Sequence, residues 1–550
     1  MDDILMTLRD AVGGRDVTLS LTSAGREIFD RISYDWLAGV LRAMDVAYPE
    51  QSFDLVLRAD TREPMESGSY ISPGLPGDTF TKEGGLGMVT VAGNPAMARV
   101  ARRVSVPSLS LWAGDTAFAF VDGRHGLRRR IGQAYGQVYD RAPLSLDRFK
   151  QYRNNRKPWL KDTASRGADL LERVGPTAPS DPTRPPTAWF ALHWLEPGGA
   201  EAWAFESAEL ARDAGLEVVI TVDRAAPQRD LARALSITPH VYLGANVFVG
   251  EDWSRFGRMV LDRHRVVAIH IHHSAMAYQA LPRLRHLVPD LVAIDSTHIA
   301  EHRTGGFVRQ SLEHSDLLDV HHVISPTLRD TYVLEAGIPA ERVAYRPLTG
   351  LRGQADERAP RATRTDARQP LRVGFLGRLA PQKRPFLFLE LVRRLSKAAP
   401  GRFTFVMQGS GPLEQFVARQ LGRTGLAGVI ERRPWGPPSE FFDAIDVLAI
   451  TSDNEGLTLT ALEADSHGVL VLSADVGSQV TVVVPDLLAP REPVAFLRRA
   501  SAMLTRLAAD PALAPRLLDE QREIHDRLRE VEPARDYFSS LFAALREDNQ

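Results

Sequence analysis

The feature that most constrains the fold is an alternation of short apolar runs and amphipathic segments, which occurs twice along the chain. In the first block, the apolar "TAWFALHWL" precedes the helix-like "AEAWAFESAELARDAG" and the apolar "LEVVITV". Short apolar runs that alternate with helical patterns indicate β-α-β units and a parallel sheet. The alternation starts again after residue 370 with "LRVGFLG" and "RPFLFLELVRRLSKAAP". The sequence therefore predicts two doubly wound, Rossmann-like α/β domains in tandem.

Two stretches without regular patterning mark the limits of these blocks. The proline-rich "GPTAPSDPTRPPT" (175–187) and the polar "GQADERAPRATRTDARQP" (353–370) are not expected to continue a helix or a sheet. A chain of 550 residues is also too long for one hydrophobic core. The predicted divisions are an N-terminal accessory α+β module with its linker over residues 1–175, a first Rossmann-like domain over 186–352, a second over 371–490, and a C-terminal helical segment over 491–550.

Composition excludes several classes of protein. Lys and Arg number 67 against 69 Asp and Glu, so the chain lacks the positive charge of a dedicated nucleic-acid binder. Because it has no cysteine, disulfides, thiolate metal sites and cysteine nucleophiles are excluded. No apolar run approaches the length of a membrane span, and "MDDILMTLRDAVGG" lacks a signal-peptide core, so a cytoplasmic location is expected. The basic cluster "RHGLRRR" (124–130) leaves a peripheral membrane contact open.

The loop "FLGRLAPQKRP" (375–385) places two cations between a predicted strand and a predicted helix. Gly377 ends the strand, and Arg378 and Lys383 follow before the helix begins. Two cations beside a helix N-terminus suit a diphosphate, because arginine grips oxygens in pairs and lysine supplies a compact charge. Taken alone, a solvated loop explains this pattern equally well.

Glycine turns follow two further predicted strands. "MQGSGPLE" contains Gly409 and Gly411, and "EPGGAE" in the first domain contains Gly198 and Gly199. Glycine permits a close approach of the backbone to a ligand. Since ligands bind at the carboxyl ends of the strands in doubly wound sheets, these turns and the two cations are expected to meet in one cleft.

In their order along the chain, these motifs resemble those of the retaining glycosyltransferases of family 4, which have the GT-B fold. The residues that carry the resemblance are "GGAE" in the first domain and "GRLAPQK", "GSGPLE" and "SDNEGLTLTALEADSHG" in the second. The resemblance spans roughly residues 187–490 and does not cover residues 1–175. It implies two Rossmann-like domains that face a cleft, a nucleotide-diphosphate sugar as donor, hexosyl transfer without a metal ion or cofactor, and a C-terminal segment that crosses back to the first domain.

Two glutamates of the last motif are expected to bind the donor. Glu455 follows the predicted strand "DVLAIT", and Gly456 allows a tight turn into Leu457 and Thr458, which open a helix whose free N–H groups can bind phosphate. By resemblance, Glu455 would hydrogen-bond hydroxyls of the transferred sugar, and Glu463 would hydrogen-bond the ribose of the nucleotide. The alternative is that Glu455 caps the helix locally and that Glu463 is a solvated surface residue.

Three histidines end a predicted strand of the first domain in "AIHIHHSAMAY" (268–278). Strand alternation puts His270 and His272 on one side and His273 on the other, so the three are not expected to serve one site. No metal site is expected there, because neither a cysteine nor a nearby carboxylate completes one. In family 4 a histidine at this strand end approaches the donor sugar, and His272 is the better match. A core histidine is the alternative.

The segment "IDSTHIAEHRTGGF" (294–307) is the candidate acceptor loop. Its polar residues are His298, Glu301, His302 and Arg303, which precede a Gly-Gly pair. Such a composition fits a loop that lines a cleft, and a plain polar loop explains it equally well.

The resulting hypothesis is a retaining sugar transferase in which Arg378 and Lys383 stabilise the leaving diphosphate while an acceptor hydroxyl attacks from the same face. The alternatives are a noncatalytic GT-B subunit that binds an acceptor or a partner chain and, less favoured, an epimerase or a phosphorylase. The acceptor class, whether glycan, lipid-linked or protein, is left open. The N-terminal module is expected to recognise the acceptor or to mediate homo-oligomer assembly rather than to bind the donor.

Overall fold

The structure is a computed structural model that describes residues 2–59, 85–107, 127–154, 160, 181–301, 304–350 and 368–549. Several segments with a legible sequence pattern lie outside these residues. They are "SLSLWAG" (108–114), whose apolar residues predict a strand, residues 66–84 of the Gly/Pro-rich "ESGSYISPGLPGDTFTKEGGLG" (66–87), which predicts a loop, and most of both linkers. Among the described residues, the strands form three separate sheets of four, seven and six strands.

The N-terminal part contains the four-stranded sheet. Its strands are β1 (Val17–Leu21), β2 (Phe53–Ala59), β3 (Gly85–Val91) and β4 (Val100–Val106), in the order β1-β3-β2-β4. Strand β3 is antiparallel to both neighbours, and β2 and β4 are parallel. The apolar segments "FDLVLRA" (53–59) and "GMVTVAG" (87–93) predict β2 and β3, whereas no strand is predicted over β1 or β4. The helices of this part are α1 (Asp2–Asp10), α2 (Ser23–Ile32), α3 (Tyr34–Ala47), α4 (Leu127–Arg141) and α5 (Pro143–Asn154).

The first large sheet is parallel throughout and has the order β11-β10-β9-β8-β5-β6-β7. Its strands are β5 (Pro186–Leu192), β6 (Glu217–Val222), β7 (Val241–Tyr242), β8 (Arg265–His272), β9 (Val292–Thr297), β10 (Val320–Val323) and β11 (Val343–Tyr345). The connecting α-helices are α6 (Gly199–Asp213), α7 (Leu231–Ile237), α8 (Gly250–Arg263), α9 (Ala275–Leu287), α10 (Gly306–Glu313) and α11 (Pro326–Asp330). The strand order reverses between β5 and β8, which makes that point the topological switch point of the sheet.

The second large sheet is also parallel and has the order β14-β13-β12-β15-β16-β17. Its strands are β12 (Leu371–Leu376), β13 (Phe403–Gln408), β14 (Ile430–Arg433), β15 (Val447–Ile450), β16 (Leu470–Ala474) and β17 (Leu488–Ala489). The helices are α12 (Pro385–Ala398), α13 (Glu414–Thr424), α14 (Pro438–Asp443) and α15 (Leu459–Ser466). The switch point of this sheet lies between β12 and β15.

Burial explains why the strands of the two large sheets could be predicted from the sequence. Every residue of β5 and every residue of β15 is buried. Parallel strands are covered by helices on both faces, so they appear in a sequence as continuous apolar runs. The predicted fold class, two Rossmann-like domains in the GT-B arrangement with an additional N-terminal α+β part, is confirmed.

Three C-terminal helices connect the two domains: α16 (Pro493–Ala509), α17 (Leu513–Arg529) and α18 (Ala534–Glu547). Helix α17 packs on the second sheet, where Gln521 Oε1 accepts a hydrogen bond from the backbone N–H of Val471 (2.9 Å). Helix α18 packs on α6 of the first domain. There Arg535 Nε lies 2.8 Å from Glu206 Oε1, and the Phe538 ring stacks on His270 with the ring centroids 4.9 Å apart.

The N-terminal part docks on both domains. Helix α3 lies against the first domain, where Trp36 Nε1 donates to the carbonyl of Ala226 (3.3 Å). Helices α4 and α5 lie against the second domain, where the Tyr139 ring is 5.0 Å from the Phe416 ring between centroids. Among the described residues, no helix combines the length and the apolar character needed to cross a membrane.

Candidate active site

The loops at the two switch points meet across the cleft between the domains. A Cβ built on Gly456, in the loop after β15, would lie closer than 3 Å to the carbonyl oxygen of His298, in the loop after β9. A Cβ on Gly199 at the start of α6 would lie 3.3 Å from the Leu459 side chain at the start of α15. The requirement for glycine at 456 therefore comes from the approach of the other domain. The backbone does bend at Gly456, but this residue does not adopt the left-handed conformation that favours glycine, so the turn by itself does not require glycine there.

Lys383 and Glu455 are in direct contact. The Lys383 Nζ atom lies 2.5 Å from Glu455 Oε1, and the Ser452 hydroxyl donates to the same carboxylate oxygen. Glu455 is only 6% exposed, whereas the Lys383 side chain remains partly accessible from the cleft. The sequence assigned these two residues to different parts of one ligand, but the structure joins them in a charge-assisted hydrogen bond. Their contributions to function are therefore expected to be coupled.

The glycines of the second domain are required by contacts between two loops. Gly377, Gly409 and Gly411 have φ values of 150°, 138° and 152°, which favour glycine. A Cβ on Gly409 would lie closer than 3 Å to the carbonyl oxygen of Gly377, and a Cβ on Gly411 would lie 2.8 Å from that of Leu379. The loop after β13 thus supports the loop that carries Arg378 and Lys383.

Arg378 lies in a polar cluster with residues of the first domain. Its guanidinium carbon is 5.9 Å from the centroid of the Trp194 ring, and the Trp194 Nε1–H donates to Glu201 Oε1 (2.6 Å). Arg378 is exposed to solvent, but the protein atoms around its guanidinium partly desolvate it, which lowers the pKa of Arg378 below its usual value. Burial raises the pKa of Glu201. The cluster joins the ends of β5 and β12, the first strand of each sheet.

The predicted donor-binding turn of the first domain, at Gly198 and Gly199, is occupied by a side chain of the protein. A Cβ on Gly198 would lie closer than 3 Å to the Glu201 carboxylate, which folds back over the N-terminus of α6. A carboxylate is stabilised at this position by the helix dipole. The turn at Gly198 and Gly199 was predicted to bind the donor, and the structure places the Glu201 carboxylate against Gly198.

The side chain of His272 is buried and makes no hydrogen bond to a described residue. It is 4% exposed, and neither of its ring nitrogens has a partner. It lines a small pocket at the end of β8 together with His193, Glu201, His273, Ser296 and His298. Burial lowers the pKa of His272 well below its usual value, so the ring is neutral near pH 7 and can donate one hydrogen bond and accept another.

The two neighbouring histidines have different surroundings from His272, and the position of His273 differs from the prediction. His270 lies on the same side, as predicted, but it is a satisfied core residue: its Nδ1 contacts Ser207 Oγ (3.1 Å) and its Nε2 contacts Ser296 Oγ (2.9 Å). The prediction that His273 faces away from the site is wrong, because it lines the pocket with His272. Strand β8 ends at His272, and His273 has a left-handed backbone (φ 60°), so strand alternation does not apply to it.

The candidate acceptor loop is divided by the structure. His298 belongs to the pocket beside His272, and burial lowers the pKa of His298 well below its usual value. Glu301 is exposed, and its carboxylate accepts a hydrogen bond from the Thr304 hydroxyl, so it is outside this pocket. His302 and Arg303 lie outside the described residues.

The remaining predicted donor residues lie around the start of α15. Leu457 is buried, and the Thr458 hydroxyl accepts a hydrogen bond from the Gln479 side chain. Glu463 lies one turn into α15 and is partly buried, and burial raises the pKa of Glu463. No hydrogen bond to its carboxylate is found among the described residues, so this carboxylate is available to a ligand.

Three residues of this region were not predicted from the sequence. Trp194 and Arg224 follow β5 and β6, and the Arg224 guanidinium carbon lies 4.6 Å from the centroid of the Trp194 ring. Arg384 follows Lys383 and is fully buried. The available signal was position: each of the first two lies within two residues of a strand end, where ligand-binding residues concentrate in such sheets.

A group of potential metal ligands lies at the opposite edge of the first sheet. Among the described residues, Glu217, His240 and His264 bring ligand atoms within 4.8 Å of one another at the amino ends of the strands. The Glu217 carboxylate pairs with His240 Nε2 (3.1 Å) and His264 Nδ1 (2.9 Å). It also accepts a hydrogen bond from the Thr187 hydroxyl (2.8 Å), so protein groups already satisfy this carboxylate.

Comparisons with known proteins agree with this architecture. Residues 370–506 match the family model of the glycosyl transferases group 1. A D-inositol 3-phosphate glycosyltransferase from Streptomyces bingchenggensis is 31% identical over 281 residues, which are 48% of this chain and 58% of that protein. One from Mycobacterium ulcerans is 30% identical over 241 residues, which are 42% and 48% of the two chains. This chain thus spans about half the length of the curated relatives it matches.

Solved structures of low sequence identity are also similar to the chain. The sucrose-phosphate synthase of Thermosynechococcus elongatus has a TM-score of 0.49 at 17% identity, with 66% of this chain and 99% of that chain covered. The Anabaena protein Alr3699/HepE, solved with UDP and glucose, has a TM-score of 0.47 at 14% identity, with 65% of this chain and 98% of that chain covered.

The fold and the site define a two-domain protein of the GT-B class. More specifically, residues 370–506 are similar to the group 1 glycosyl transferases, in agreement with the resemblance of the chain to the glycosyltransferases of family 4.

Proposed function

We propose that this protein is a glycosyltransferase that moves a hexosyl group from a nucleotide-diphosphate sugar to an acceptor hydroxyl. The observation that carries this proposal is the Lys383–Glu455 pair at the switch point of the second sheet, opposite the loop of His298. The match of residues 370–506 to the group 1 glycosyltransferases supports it. A noncatalytic subunit would not need a cation and a carboxylate held together at this position.

The donor diphosphate would be bound by the second domain. Lys383 and Arg378 supply positive charge beside the start of α15, whose free N–H groups favour an anion. As the bond between the sugar C1 and the diphosphate oxygen breaks, negative charge grows on the leaving group. Cations that are already in place stabilise that charge without further reorganisation. Glu455 would accept hydrogen bonds from hydroxyls of the transferred sugar.

Transfer would proceed with retention of configuration. The acceptor hydroxyl would attack C1 from the face that the diphosphate leaves, and its proton would pass to the departing phosphate oxygen. This assignment rests on the family resemblance and on the positions of Glu455 and His272, which are suited to binding the sugar rather than to acting as an acid/base pair. A proton nuclear magnetic resonance spectrum of the product would show the anomeric configuration, and an inverted product would overturn the assignment.

We also propose that transfer needs no metal ion, because two fixed cations already face the expected position of the diphosphate. Treatment with EDTA followed by removal of the chelator should leave the transfer rate unchanged. A loss of activity that Mg²⁺ or Mn²⁺ restores would contradict this proposal.

The donor class can be tested before any acceptor is known. A ligand that binds only the folded state raises the melting temperature by mass action. Diphosphates of uridine, adenosine, guanosine, cytidine and thymidine should therefore be compared in a thermal-shift assay, followed by their sugar conjugates. One base is expected to stand out, and the absence of any shift at millimolar nucleotide would contradict the proposal. D-inositol 3-phosphate, named by the matched relatives, belongs in the subsequent acceptor panel.

Replacing Glu463 with alanine should weaken the binding of the nucleotide and have little effect on the contacts of the protein with the transferred sugar. Loss of the hydrogen bonds that ribose hydroxyls donate to this carboxylate is expected to raise the nucleoside diphosphate Kd about tenfold. Calorimetric titration of Glu463→Ala measures this change. Glu523→Ala, at an exposed position of α17, is the control and should bind like the parent protein. An unchanged Kd in Glu463→Ala would remove Glu463 from the donor site.

A further inference from the structure

Arg384 is a fully buried cation next to the Lys383–Glu455 pair. It has a left-handed backbone (φ 47°), which is uncommon for a residue other than glycine, and its side chain is 0% exposed. Its guanidinium donates to the carbonyls of Thr451 (2.6 Å) and Ser452 (2.8 Å). Arg384 therefore holds the first two residues of the loop that leads to Glu455.

The same loop is tied to Lys383 from the other side. The Thr451 hydroxyl donates to the carbonyl of Lys383 (2.7 Å), and the backbone N–H of Asp453 donates to the carbonyl of Gln382 (2.7 Å). The loops that carry Lys383 and Glu455 are thus one connected unit, and a shift at Arg384 would move both. A displacement of 1 Å at reacting groups is enough to lower a rate by about a hundredfold.

The carboxylate that pairs with Arg384 comes from outside the second domain. Asp147 on helix α5 lies 3.1 Å from Arg384 Nη1 through its Oδ2 atom and is 7% exposed. Gln151, one turn later, donates to Asp147 (3.2 Å) and to the carbonyl of Arg491 (3.1 Å), and its amide lies 3.4 Å from Asp453. A buried guanidinium needs a counter-charge, and α5 supplies it.

Helix α5 is held in place by contacts distant from the cleft. Tyr139 on the preceding helix α4 packs against the rings of Phe386 (5.9 Å) and Phe416 (5.0 Å). The carbonyl of Asp140 accepts hydrogen bonds from Gln420 (2.6 Å) and Arg423 (2.8 Å). These contacts fix the helix pair α4 and α5 on the second domain and leave Asp147 directed at Arg384. The pair precedes the region that resembles family 4.

We propose that Asp147 is a positioning residue for sugar transfer, which acts through Arg384 to hold the Thr451–Glu455 loop and Lys383 in their reactive arrangement. The proposal rests on the proposed function for its kinetic consequence. It also assigns a role in the donor site to the N-terminal part of the chain, which the sequence had assigned to the acceptor or to assembly. This part would complete the donor site without touching the donor.

The test uses Asp147→Asn in the full chain, with two measurements. Hydrogen exchange of the backbone amides in the Thr451–Glu455 loop should become about tenfold faster, while exchange in the first domain stays at the parental rate. With donor and acceptor, kcat should fall about tenfold to a hundredfold while the donor KM changes little, because the misplacement acts mainly on the transition state. Asp140→Asn is the matched control. Asp140 lies on α4, and its substitution removes only an exposed ion pair to Arg419 on α13 (3.1 Å), so both measurements should stay unchanged.

The outcomes separate this inference from the proposed function. Parental exchange in the loop, or faster exchange spread over the whole chain, would overturn the positioning role. If the parent protein transfers no sugar but Asp147→Asn still loosens the loop, the positioning role stands and the proposed function fails. If Asp147→Asn does not fold, Gln151→Leu removes the neighbouring hydrogen bonds and keeps the side-chain volume. Gln151→Leu should also speed hydrogen exchange in the Thr451–Glu455 loop alone and lower kcat, both by a smaller factor. Parental exchange and parental kcat in Gln151→Leu would then overturn the proposal.

Discussion

Replacing Lys383 with alanine is expected to lower the single-turnover transfer rate by about a hundredfold or more. The substitution removes a cation from the leaving diphosphate, whose charge grows in the transition state. It also leaves the buried Glu455 carboxylate without its positively charged partner, because the Lys383 Nζ atom lies 2.5 Å from Glu455 Oε1 in the parent protein. The nucleoside diphosphate should bind more weakly as well. Lys397→Ala, at an exposed position of α12, is the matched control and should behave like the parent protein.

Glu455→Gln should fail in a different way. The amide keeps the shape of the side chain but weakens its hydrogen bonds to the sugar, so transfer should fall. The bare nucleoside diphosphate should bind at least as tightly as before, because Lys383 is released from its carboxylate partner. Single-turnover assays and calorimetric titration of both variants measure these differences. Transfer at the parental rate by Glu455→Gln would show that the Glu455 carboxylate does not take part in the reaction.

The contact between the two side chains adds a further expectation. Residues in direct contact give non-additive effects, so the double variant Lys383→Ala with Glu455→Gln should lose less than the two single variants combined. Strict additivity would show that Lys383 and Glu455 separate before the reaction and act independently.

Gly456→Ala should abolish most of the transfer activity through a contact between domains. The added methyl group would lie closer than 3 Å to the carbonyl of His298, so the loops after β9 and β15 would have to move apart. A separation of about 1 Å between the sugar-binding and acceptor sides is expected to cost about a hundredfold in rate. Nucleotide affinity should change much less, because the proposed diphosphate contacts belong to the second domain alone. Parallel measurements of transfer and of nucleotide Kd test this split.

The controls for Gly456→Ala are two other glycines of the same domain. Gly422, inside α13, has open space at the Cβ position, so Gly422→Ala should keep full activity and gain up to about 1 kcal/mol of stability. Gly477 has φ 55°, and its Cβ would press on the carbonyl of Glu455 within the second domain. Gly477→Ala should therefore lower the melting temperature and the nucleotide affinity together. If Gly456→Ala transferred sugar at the parental rate, the contact with His298 would not belong to the reactive arrangement.

Several parts of the candidate site could be predicted from local sequence. Gly377, Arg378 and Lys383 follow an apolar run that predicts a buried strand, and strand ends of parallel sheets are where ligands bind. The shared side of His270 and His272 followed from strand alternation, which depends on the backbone alone. His273 escaped this rule because its left-handed backbone has no signature in a non-glycine residue.

Other parts depended on neighbours that are distant in the chain. His270 and His272 have the same spacing and residue type, yet only His272 lacks partners, because Ser207 and Ser296 are placed beside His270 by α6 and β9. Nothing in the local sequence around Arg384 indicates that it is buried, and its burial depends on Asp147, which lies 237 residues earlier. No local pattern encodes such a pair.

By itself, the sequence determined the two parallel sheets and the loops at their switch points, because continuous apolar runs and glycine turns are local consequences of burial on both faces. Only the tertiary structure decided that Lys383 binds Glu455, that Glu201 fills the turn at Gly198, and that α5 supports the donor loop. These are contacts between segments far apart in the chain. Their geometry is set by how whole sheets and helices pack, which residue type and spacing do not specify.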